Sequence, residues 1–157
     1  MRPGRAPMSA ESVKVVFFDI GDTLTVASRN WIPGAQSVLS TLHDKGLRLG
    51  LISNTDKLTR AELLDEYLPS DFDMTLFESK LVLLSSEVGI EKPNLKIFQL
   101  AIDRAGEPPS QCLFCTEDLA DSLAAQQVGM RVARLQKPPA SDLQELIDGM
   151  IRAGMLT

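Results

Sequence analysis

The sequence predicts an α/β fold in which one parallel β-sheet carries helices on both faces. Short apolar runs alternate with amphipathic stretches along the chain, and polar residues follow several of the apolar runs at the point where a strand would end. Continuous apolar runs are typical of strands buried on both faces, as in a parallel sheet. A chain of 157 residues, 44% of them hydrophobic, is the size of one domain with one core.

Five apolar runs are short enough to be strands, and the first is rich in the β-branched and aromatic residues that favour extended backbone. The stretches between them place apolar residues at helical spacing, with Pro33 and Pro93 at two helix starts and glycines at several ends. The predicted strands are residues 13–18, 47–52, 81–84, 112–115 and 130–135. The predicted helices are residues 33–45, 55–67, 93–106, 119–128 and 141–153.

Charge and hydropathy narrow the class of protein. A formal net charge of -5 argues against nucleic acid or anionic lipid as a partner, since both attract basic surfaces. No apolar run approaches the roughly 20 residues that span a bilayer, so we expect a soluble, cytoplasmic protein with no membrane contact. Residues 1–12 are predicted to be a loose tail, and residues 13–157 the folded domain.

Cys112 and Cys115 have the C-x-x-C spacing of some redox and zinc sites. They lie in an apolar run, however, where residues three apart point to opposite faces of a strand. The single histidine, His43, is distant in sequence, and zinc needs more ligands than two thiolates. The sequence therefore favours two buried structural thiols.

Chemically capable side chains follow four of the predicted elements in a fixed order. Asp19 follows the first strand, Ser53 and Asn54 follow the second, Lys92 precedes a helix, and an acidic cluster from Glu117 to Asp121 follows the fourth strand. Taken singly, each has an ordinary role as a turn residue, helix cap or solvated charge. Taken together they indicate a single site, because the carboxyl ends of parallel strands meet at one edge of the sheet.

This ordered series resembles the haloacid dehalogenase (HAD) superfamily. In that family an apolar strand ends in Asp-x-Asp-x-Thr, a second ends in Ser or Thr, a Lys precedes a helix, and an acidic pair closes the site. The corresponding segments here are Asp19-Ile20-Gly21-Asp22-Thr23-Leu24, Ser53-Asn54-Thr55, Glu91-Lys92-Pro93-Asn94 and Glu117-Asp118-Leu119-Ala120-Asp121. The resemblance extends over residues 13–132.

The resemblance implies a Mg²⁺-dependent phosphohydrolase that forms an aspartyl-phosphate on Asp19. Lys92 would be catalytic with Asp19, and the phosphate-binding residues would be Ser53, Asn54 and Lys92. The implied Mg²⁺ ligands are Asp19, the carbonyl of Gly21, Glu117 and Asp121. The substrate would be a phosphorylated small molecule or macromolecule.

Two departures from the family pattern weaken this expectation. Most phosphatases of the family carry a second Asp two residues after the nucleophile, where this chain has Gly21, and Asp22 comes one position late. In the fourth motif, Glu117 takes the ligand position if Asp121 is held fixed, and we prefer this register. The other register puts Thr116 there. A catalytically weakened HAD-fold binding or regulatory protein that retains a phosphate pocket is therefore the alternative function.

Many family members carry a cap domain that covers the substrate, inserted after the first motif or between the second and third. Here 34 residues separate Asp19 from Ser53, and 39 separate Ser53 from Lys92. The predicted helices and strands fill both intervals, so we expect no cap domain. An open site would be closed by a large substrate or by a second subunit, which makes a homo-oligomer conceivable. Trp31, in the first interval, is predicted either to pack on the following helix or to touch a substrate.

Overall fold

The computed structural model describes residues 12–26, 29–135 and 142–152. Seven strands are present in this part of the chain, and five of them form one sheet. In chain order the strands are β1 (Val15–Phe18), β2 (Thr25–Val26), β3 (Asn30–Trp31), β4 (Arg48–Ser53), β5 (Val82–Leu84), β6 (Cys112–Thr116) and β7 (Arg131–Arg134). The large sheet has the order β5-β4-β1-β6-β7, and all of its strand pairs are parallel. The predicted parallel sheet is confirmed.

Helices of very different length connect these strands. They are α1 (Ala35–Asp44), α2 (Arg60–Glu62), α3 (Ser85–Val88), α4 (Leu95–Ala105), α5 (Leu119–Gln127) and α6 (Asp142–Arg152). Helix α2 continues into a π-helical turn, Leu63–Tyr67, and short 3₁₀ turns occupy Met74–Leu76, Ser79–Leu81 and Pro109–Gln111. No helix in the described ranges is long and apolar enough to cross a bilayer.

The core is divided between the two faces of the sheet, because successive side chains of a strand point to opposite sides. Val16 and Phe18 of β1 pack in one cluster with residues of α1 and α6, including Leu42. Val15 and Phe17 pack in the other cluster with residues of α4 and α5. All four β1 side chains are fully buried. The doubly wound architecture predicted from the sequence is therefore confirmed.

The two cysteines obey the same alternation. Cys115 belongs to the cluster under α1 and Cys112 to the cluster under α4. Both are free and buried, and burial raises the pKa of the Cys112 thiol to about 11 and that of Cys115 to about 12. The prediction of buried structural thiols is confirmed.

The structure differs from the prediction between Thr55 and Tyr67. A helix was expected over all of this segment, but α2 begins at Arg60 and is capped by Thr59, which forms a reciprocal pair of hydrogen bonds with Glu62. The preceding residues form a turn in which Leu58 N–H donates to the Thr55 carbonyl and Asp56 has a φ of +51°. Cross-loop hydrogen bonds from Thr55 compete with the helix here, which local propensity does not reveal.

Strands β2 and β3 form a small antiparallel hairpin that the sequence analysis did not predict. Trp31, at the end of β3, stacks on Phe72 with ring centroids 5.2 Å apart, and its indole N–H donates to Asp71. Phe72 stacks in turn on Phe77. Trp31 thus joins the hairpin to the loop before β5, and it also packs against the core cluster to which α1 contributes, in agreement with the expected helix packing. Contact with a substrate stays a prediction.

Two regions of the prediction can be compared with the structure only in part. The tail was predicted over residues 1–12, of which 1–11 lie outside the described residues, as does the connector 136–139. Between Asp19 and Ser53, the described residues form the hairpin, α1 and β4. Between Ser53 and Lys92, they form α2, short turns, β5 and α3.

Gly50 of β4 provides a stability test of the sheet. It pairs in register with Phe17, and a Cβ at this position would lie 2.6 Å from the Leu81 carbonyl oxygen and 2.6 Å from the Phe17 ring. We expect Gly50→Ala to lower the free energy of unfolding by about 1–3 kcal/mol, since a main-chain atom blocks the added methyl group. Urea unfolding followed by circular dichroism measures this. Gly21→Ala is the control, because a Cβ at Gly21 has no neighbour within 4 Å. Equal stabilities for the two variants would contradict the packing argument.

Candidate active site

Asp19 lies at the carboxyl end of β1, the central strand of the sheet. The preceding residue, Phe18, is level with Leu51 on one neighbouring strand and with Cys115 on the other. The chain builds outward from β1 through β4 and β5 before it returns to β6 on the other side. This reversal opens a crevice at the strand ends, where ligands bind in open α/β sheets. Asp19 is therefore placed where the sequence analysis expected the site, and it is 9% exposed.

The turn after Asp19 is tightly hydrogen-bonded. The Ile20 amide donates to Asp19 Oδ1 at 2.8 Å. The Ile20 carbonyl accepts from the amides of Thr23, Leu24 and Thr25. These bonds fix the carboxylate and the main chain around it, so that Asp19 is presented to the crevice in a defined orientation.

Lys92 joins the two carboxylates of the site. Its Nζ lies 2.9 Å from Asp19 Oδ1 and 3.2 Å from Asp121 Oδ2, while its side chain is 2% exposed. The ring of Phe114 lies beside the ammonium group, with 5.6 Å between Nζ and the ring centroid. A lysine buried to this extent needs compensating charge, and Asp19 and Asp121 provide it. The structure thus brings together three of the residues that the sequence predicted.

Asn54 holds the main chain of Lys92. Its Nδ2 donates to the Lys92 carbonyl at 3.1 Å, and its Oδ1 accepts from the Lys92 amide at 2.8 Å. We predicted Asn54 to bind phosphate, but both polar ends of its side chain are occupied by these bonds. Its observed task is to position Lys92, and direct contact with phosphate stays a prediction.

The fourth motif directly follows the end of β6, which sets its position beside Asp19. The Asp19 amide donates to the Cys115 carbonyl, which sets Thr116 level with Asp19, and the Thr116 hydroxyl donates to Asp19 Oδ2 at 3.2 Å. This is the geometry of the register that we did not prefer. Glu117 is half-buried and lies one residue beyond the strand, and its role as a metal ligand stays a prediction. Asp118 caps α5 by accepting from the Asp121 amide.

Asp121 has a perturbed acidity. Burial raises the pKa of its carboxyl group because it disfavours the charged form, and the neighbouring Lys92 ammonium opposes that rise. A cation that enters the site would stabilise the charged form of this buried carboxyl group. The net charge of Asp19, Asp121 and Lys92 together is -1, which also favours a cation nearby.

Ser53 and Gly21 lie on the wall of an adjoining cleft of about 450 Å³. Ser53 ends β4 and is 6% exposed, so its hydroxyl is at the floor of the crevice, as predicted for a phosphate ligand. Gly21 is exposed, and Asp22, in a left-handed conformation with φ of +60°, lines the same cleft. These positions agree with a phosphate site that opens toward solvent.

A hydroxyl network that the sequence analysis missed fixes the Ser53 loop. The Thr55 amide donates to Ser85 Oγ at 2.8 Å, and the Thr55 hydroxyl donates to Ser86 Oγ at 2.8 Å. The Ser86 amide donates back to the Thr55 hydroxyl. The sequence signal for this network is the Ser85-Ser86 pair directly after the predicted strand 81–84.

The donor set determines which metal the site could hold. Within residues 12–26, 29–135 and 142–152, no cluster of three or more His, Cys, Asp or Glu is placed to bind an ion. The site offers two carboxylates that already share one cation, together with hydroxyl and main-chain oxygens. Mg²⁺ is commonly held by one or two carboxylates, with water and phosphate oxygens completing its shell, so this oxygen-only set fits it.

Removing the Lys92 charge tests the electrostatics of this cluster. In Lys92→Met the two carboxylates lose their counter-ion, which raises the pKa of Asp121 further above its ordinary value of about 4. An acid whose folded pKa is raised destabilises the fold as pH rises from its unfolded pKa through its folded pKa. We therefore expect the variant to lose about 1–3 kcal/mol at pH 7.5 and distinctly less at pH 4.5.

The measurement is urea unfolding of both proteins at the two pH values, with EDTA present so that no metal contributes. Lys96→Met is the matched control, since Lys96 is exposed. A loss that is the same at both pH values would mean that the lysine does not balance these carboxylates.

Comparison with known proteins gives the family. A family model described as haloacid dehalogenase-like hydrolase matches residues 29–129, a stretch that begins after Asp19 and includes Ser53, Lys92 and Asp121. Haloacid dehalogenase-like hydrolase domain-containing protein 3 of Xenopus laevis is 34% identical over 106 residues, which cover 66% of this chain and 41% of that protein. Glyceraldehyde 3-phosphate phosphatase of Methanothermobacter thermautotrophicus is 36% identical over 99 residues, or 62% of this chain and 41% of that protein.

The fold is shared with solved structures of the same superfamily. A HAD family enzyme of Bacteroides thetaiotaomicron superposes with a TM-score of 0.69 at 15% identity, covering 87% of this chain and 99% of that one. Its complex with magnesium and inorganic phosphate superposes with a TM-score of 0.64 at 16% identity, covering 83% and 96%. The chain spans about two fifths of the length of the two curated relatives named above. On the extent of the family match, this chain belongs to the haloacid dehalogenase-like hydrolase family.

Proposed function

We propose that this protein is a Mg²⁺-dependent phosphohydrolase in which Asp19 accepts the phosphoryl group of a phosphate monoester and water then releases it. The observation that carries the proposal is the Lys92 ammonium group, buried between Asp19 and Asp121. A buried cation beside an exposed cleft edge is suited to an anionic substrate. The carboxylate next to it is suited to nucleophilic attack.

The chemistry is a double displacement at phosphorus. An Asp19 carboxylate oxygen forms a bond to phosphorus while the bond from phosphorus to the ester oxygen breaks. The alkoxide leaves with the electron pair and takes a proton from solvent water, since Gly21 provides no acid. In the second step, water attacks the phosphorus of the aspartyl-phosphate and gives up a proton to solvent, the P–O bond to Asp19 breaks, and inorganic phosphate and the free carboxylate are released. Lys92 and Ser53 contribute charge and a hydrogen bond to the phosphoryl oxygens during both steps.

Asp19, Asp121, Glu117 and the Gly21 carbonyl are the groups that would hold Mg²⁺, and the Thr116 hydroxyl lies against Asp19. When bound, the ion supplies positive charge that lets the anionic nucleophile and the anionic phosphate approach each other. Asn54 keeps Lys92 in position through its two main-chain bonds. The bond from Thr116 to Asp19 Oδ2 orients the nucleophile.

The relatives support this assignment at the level of reaction type. Several of them are phosphatases by name, including glyceraldehyde 3-phosphate phosphatase and phosphoglycolate phosphatase of Pseudomonas fluorescens. The Bacteroides enzyme was obtained in complex with magnesium and inorganic phosphate. These substrates and ligands belong to those proteins, and for this chain they favour a phosphate monoester together with Mg²⁺.

A non-catalytic binding or regulatory role is the second candidate. It is favoured by Gly21, which provides no carboxyl group to protonate the leaving alcohol, and by the neutral Thr116 beside Asp19. Such a protein would bind phosphate through Lys92 and Ser53 without turnover.

Phosphate release from p-nitrophenyl phosphate with Mg²⁺ tests the enzymatic function. We expect turnover that Asp19→Asn lowers by more than about a thousandfold and that EDTA removes, because the nucleophile or the charge on the ion is then missing. Asp44→Asn is the control, since Asp44 lies at the exposed end of α1. Thermal stabilisation by phosphate with no turnover of any monoester would instead identify the binding protein.

Gly21→Asp tests whether the lack of a general acid limits the proposed reaction. A Cβ at Gly21 has no neighbour within 4 Å, and its φ is not in the left-handed region, so the larger side chain can be accommodated. A general acid is worth about 10²–10⁴-fold, and a poor leaving group gains most. We expect Gly21→Asp to raise kcat for alkyl phosphates much more than for p-nitrophenyl phosphate. Gly21→Asn, which has the same shape but no acidic proton, should not. An equal gain from both variants would contradict the acid role.

A further inference from the structure

The cleft beside the phosphate site is large enough for the organic part of a substrate. Its volume of about 450 Å³ is within the range of small-molecule pockets. Gly21 and Ser53, which belong to the catalytic segments, form part of its wall. A phosphoryl group held by Ser53 and Lys92 would therefore direct its alcohol portion into this cleft.

Much of the cleft lining is apolar, and part of it is exposed. Four large apolar side chains in the described part of the chain are exposed, and two of them, Val26 at 39% and Tyr67 at 53%, line this cleft. The less exposed Leu58, Leu63 and Leu68 also line it. Exposed apolar surface gathered in one concave place marks a binding site more often than scattered side chains do.

The charged groups of the cleft are acidic. Asp22 and Asp56 line it, and its described lining includes no Lys, Arg or His. A neighbouring hollow shares Asp56, Leu58 and Tyr67 with the cleft and adds Lys57 and Glu62, whose opposite charges offset each other. The nearby Arg29 donates to the carbonyls of Leu68 and Leu64. The cleft lining thus combines apolar side chains with two acidic ones.

We propose that this cleft selects phosphate monoesters whose alcohol portion carries a flat or apolar ring and is uncharged or cationic. Tyr67, with Val26 and Leu58, contacts the ring. Asp22 and Asp56 repel a second anionic group, such as a carboxylate or another phosphate, and attract an ammonium group. This selectivity rests on the proposed phosphohydrolase function, since it assigns the part of the substrate that leaves.

Three phosphonates that cannot be hydrolysed isolate this selectivity from the chemistry. They are benzylphosphonate, 4-carboxybenzylphosphonate and 4-(aminomethyl)benzylphosphonate, which carry no group, an anionic group and a cationic group at the far end of the ring. Their inhibition constants against p-nitrophenyl phosphate are measured with Mg²⁺ at low salt, where surface charges are least screened. We expect the aminomethyl compound to bind best, and the carboxy compound to bind about three- to tenfold more weakly than benzylphosphonate.

Two variants assign the effect to residues. Replacing both acids, by Asp22→Asn with Asp56→Asn, should bring the ratio of the carboxy to the aminomethyl inhibition constant close to one. Tyr67→Ala should raise the inhibition constant of benzylphosphonate about fivefold relative to that of methylphosphonate, which has no ring. Leu123→Ala is the matched control, because Leu123 is 52% exposed and does not line the cleft.

The outcomes separate this inference from the proposed function. Turnover without the charge ranking, or a ranking that the double variant does not change, overturns the cleft selectivity and leaves the phosphohydrolase intact. If no monoester is hydrolysed, calorimetric dissociation constants of the same compounds replace the inhibition constants. The expected ranking without turnover then supports the ligand class and overturns the enzyme. No binding of any compound overturns both.

Discussion

The contact on which the site depends is one buried ammonium group shared by two carboxylates. Lys92 Nζ lies within 3.2 Å of both Asp19 and Asp121, and its side chain is almost fully removed from solvent. A buried ammonium group without a counter-charge would strongly destabilise the fold, so Lys92 must lie between the two carboxylates. They come from three segments that are far apart in the sequence. The cluster exists only if β1, β6 and the Lys92 loop are correctly assembled, which ties the chemistry of the site directly to the fold.

The sheet provides that assembly through register. Hydrogen bonding between Asp19 and Cys115 sets the ends of β1 and β6 level, and the Asn54 side chain fastens the Lys92 main chain to the end of β4. The hydroxyls of Thr55, Ser85 and Ser86 connect that loop to the end of β5. Hydrogen bonds and ion pairs therefore connect the ends of β5, β4, β1 and β6. These connections hold the catalytic side chains in position.

The sequence predicted the parts of this arrangement that depend on strand ends and not those that depend on exact register. The five strands of the large sheet, the buried cysteines and the proximity of Asp19, Lys92 and Asp121 follow from apolar periodicity and from strand-end geometry. The contact of Thr116 with Asp19 does not, because a shift of one residue exchanges it with Glu117 and only the observed pairing decides between them. The task of Asn54 and the late start of α2 were missed for a similar reason, since both depend on hydrogen bonds between distant loops.

Gly21 and Thr116 stand where the family pattern has carboxylates, and the proposed function requires that a phosphoryl group nevertheless binds against Asp19. A crystal structure of the protein grown with Mg²⁺ and beryllofluoride, which mimics a phosphoryl group on a carboxylate, is the most direct measurement. We expect beryllium bonded to Asp19, with Lys92 Nζ and the Ser53 hydroxyl turned toward the fluorine atoms. Lys92 still bridging Asp19 and Asp121, with no anion in the crevice at saturating beryllofluoride, would contradict the proposed function.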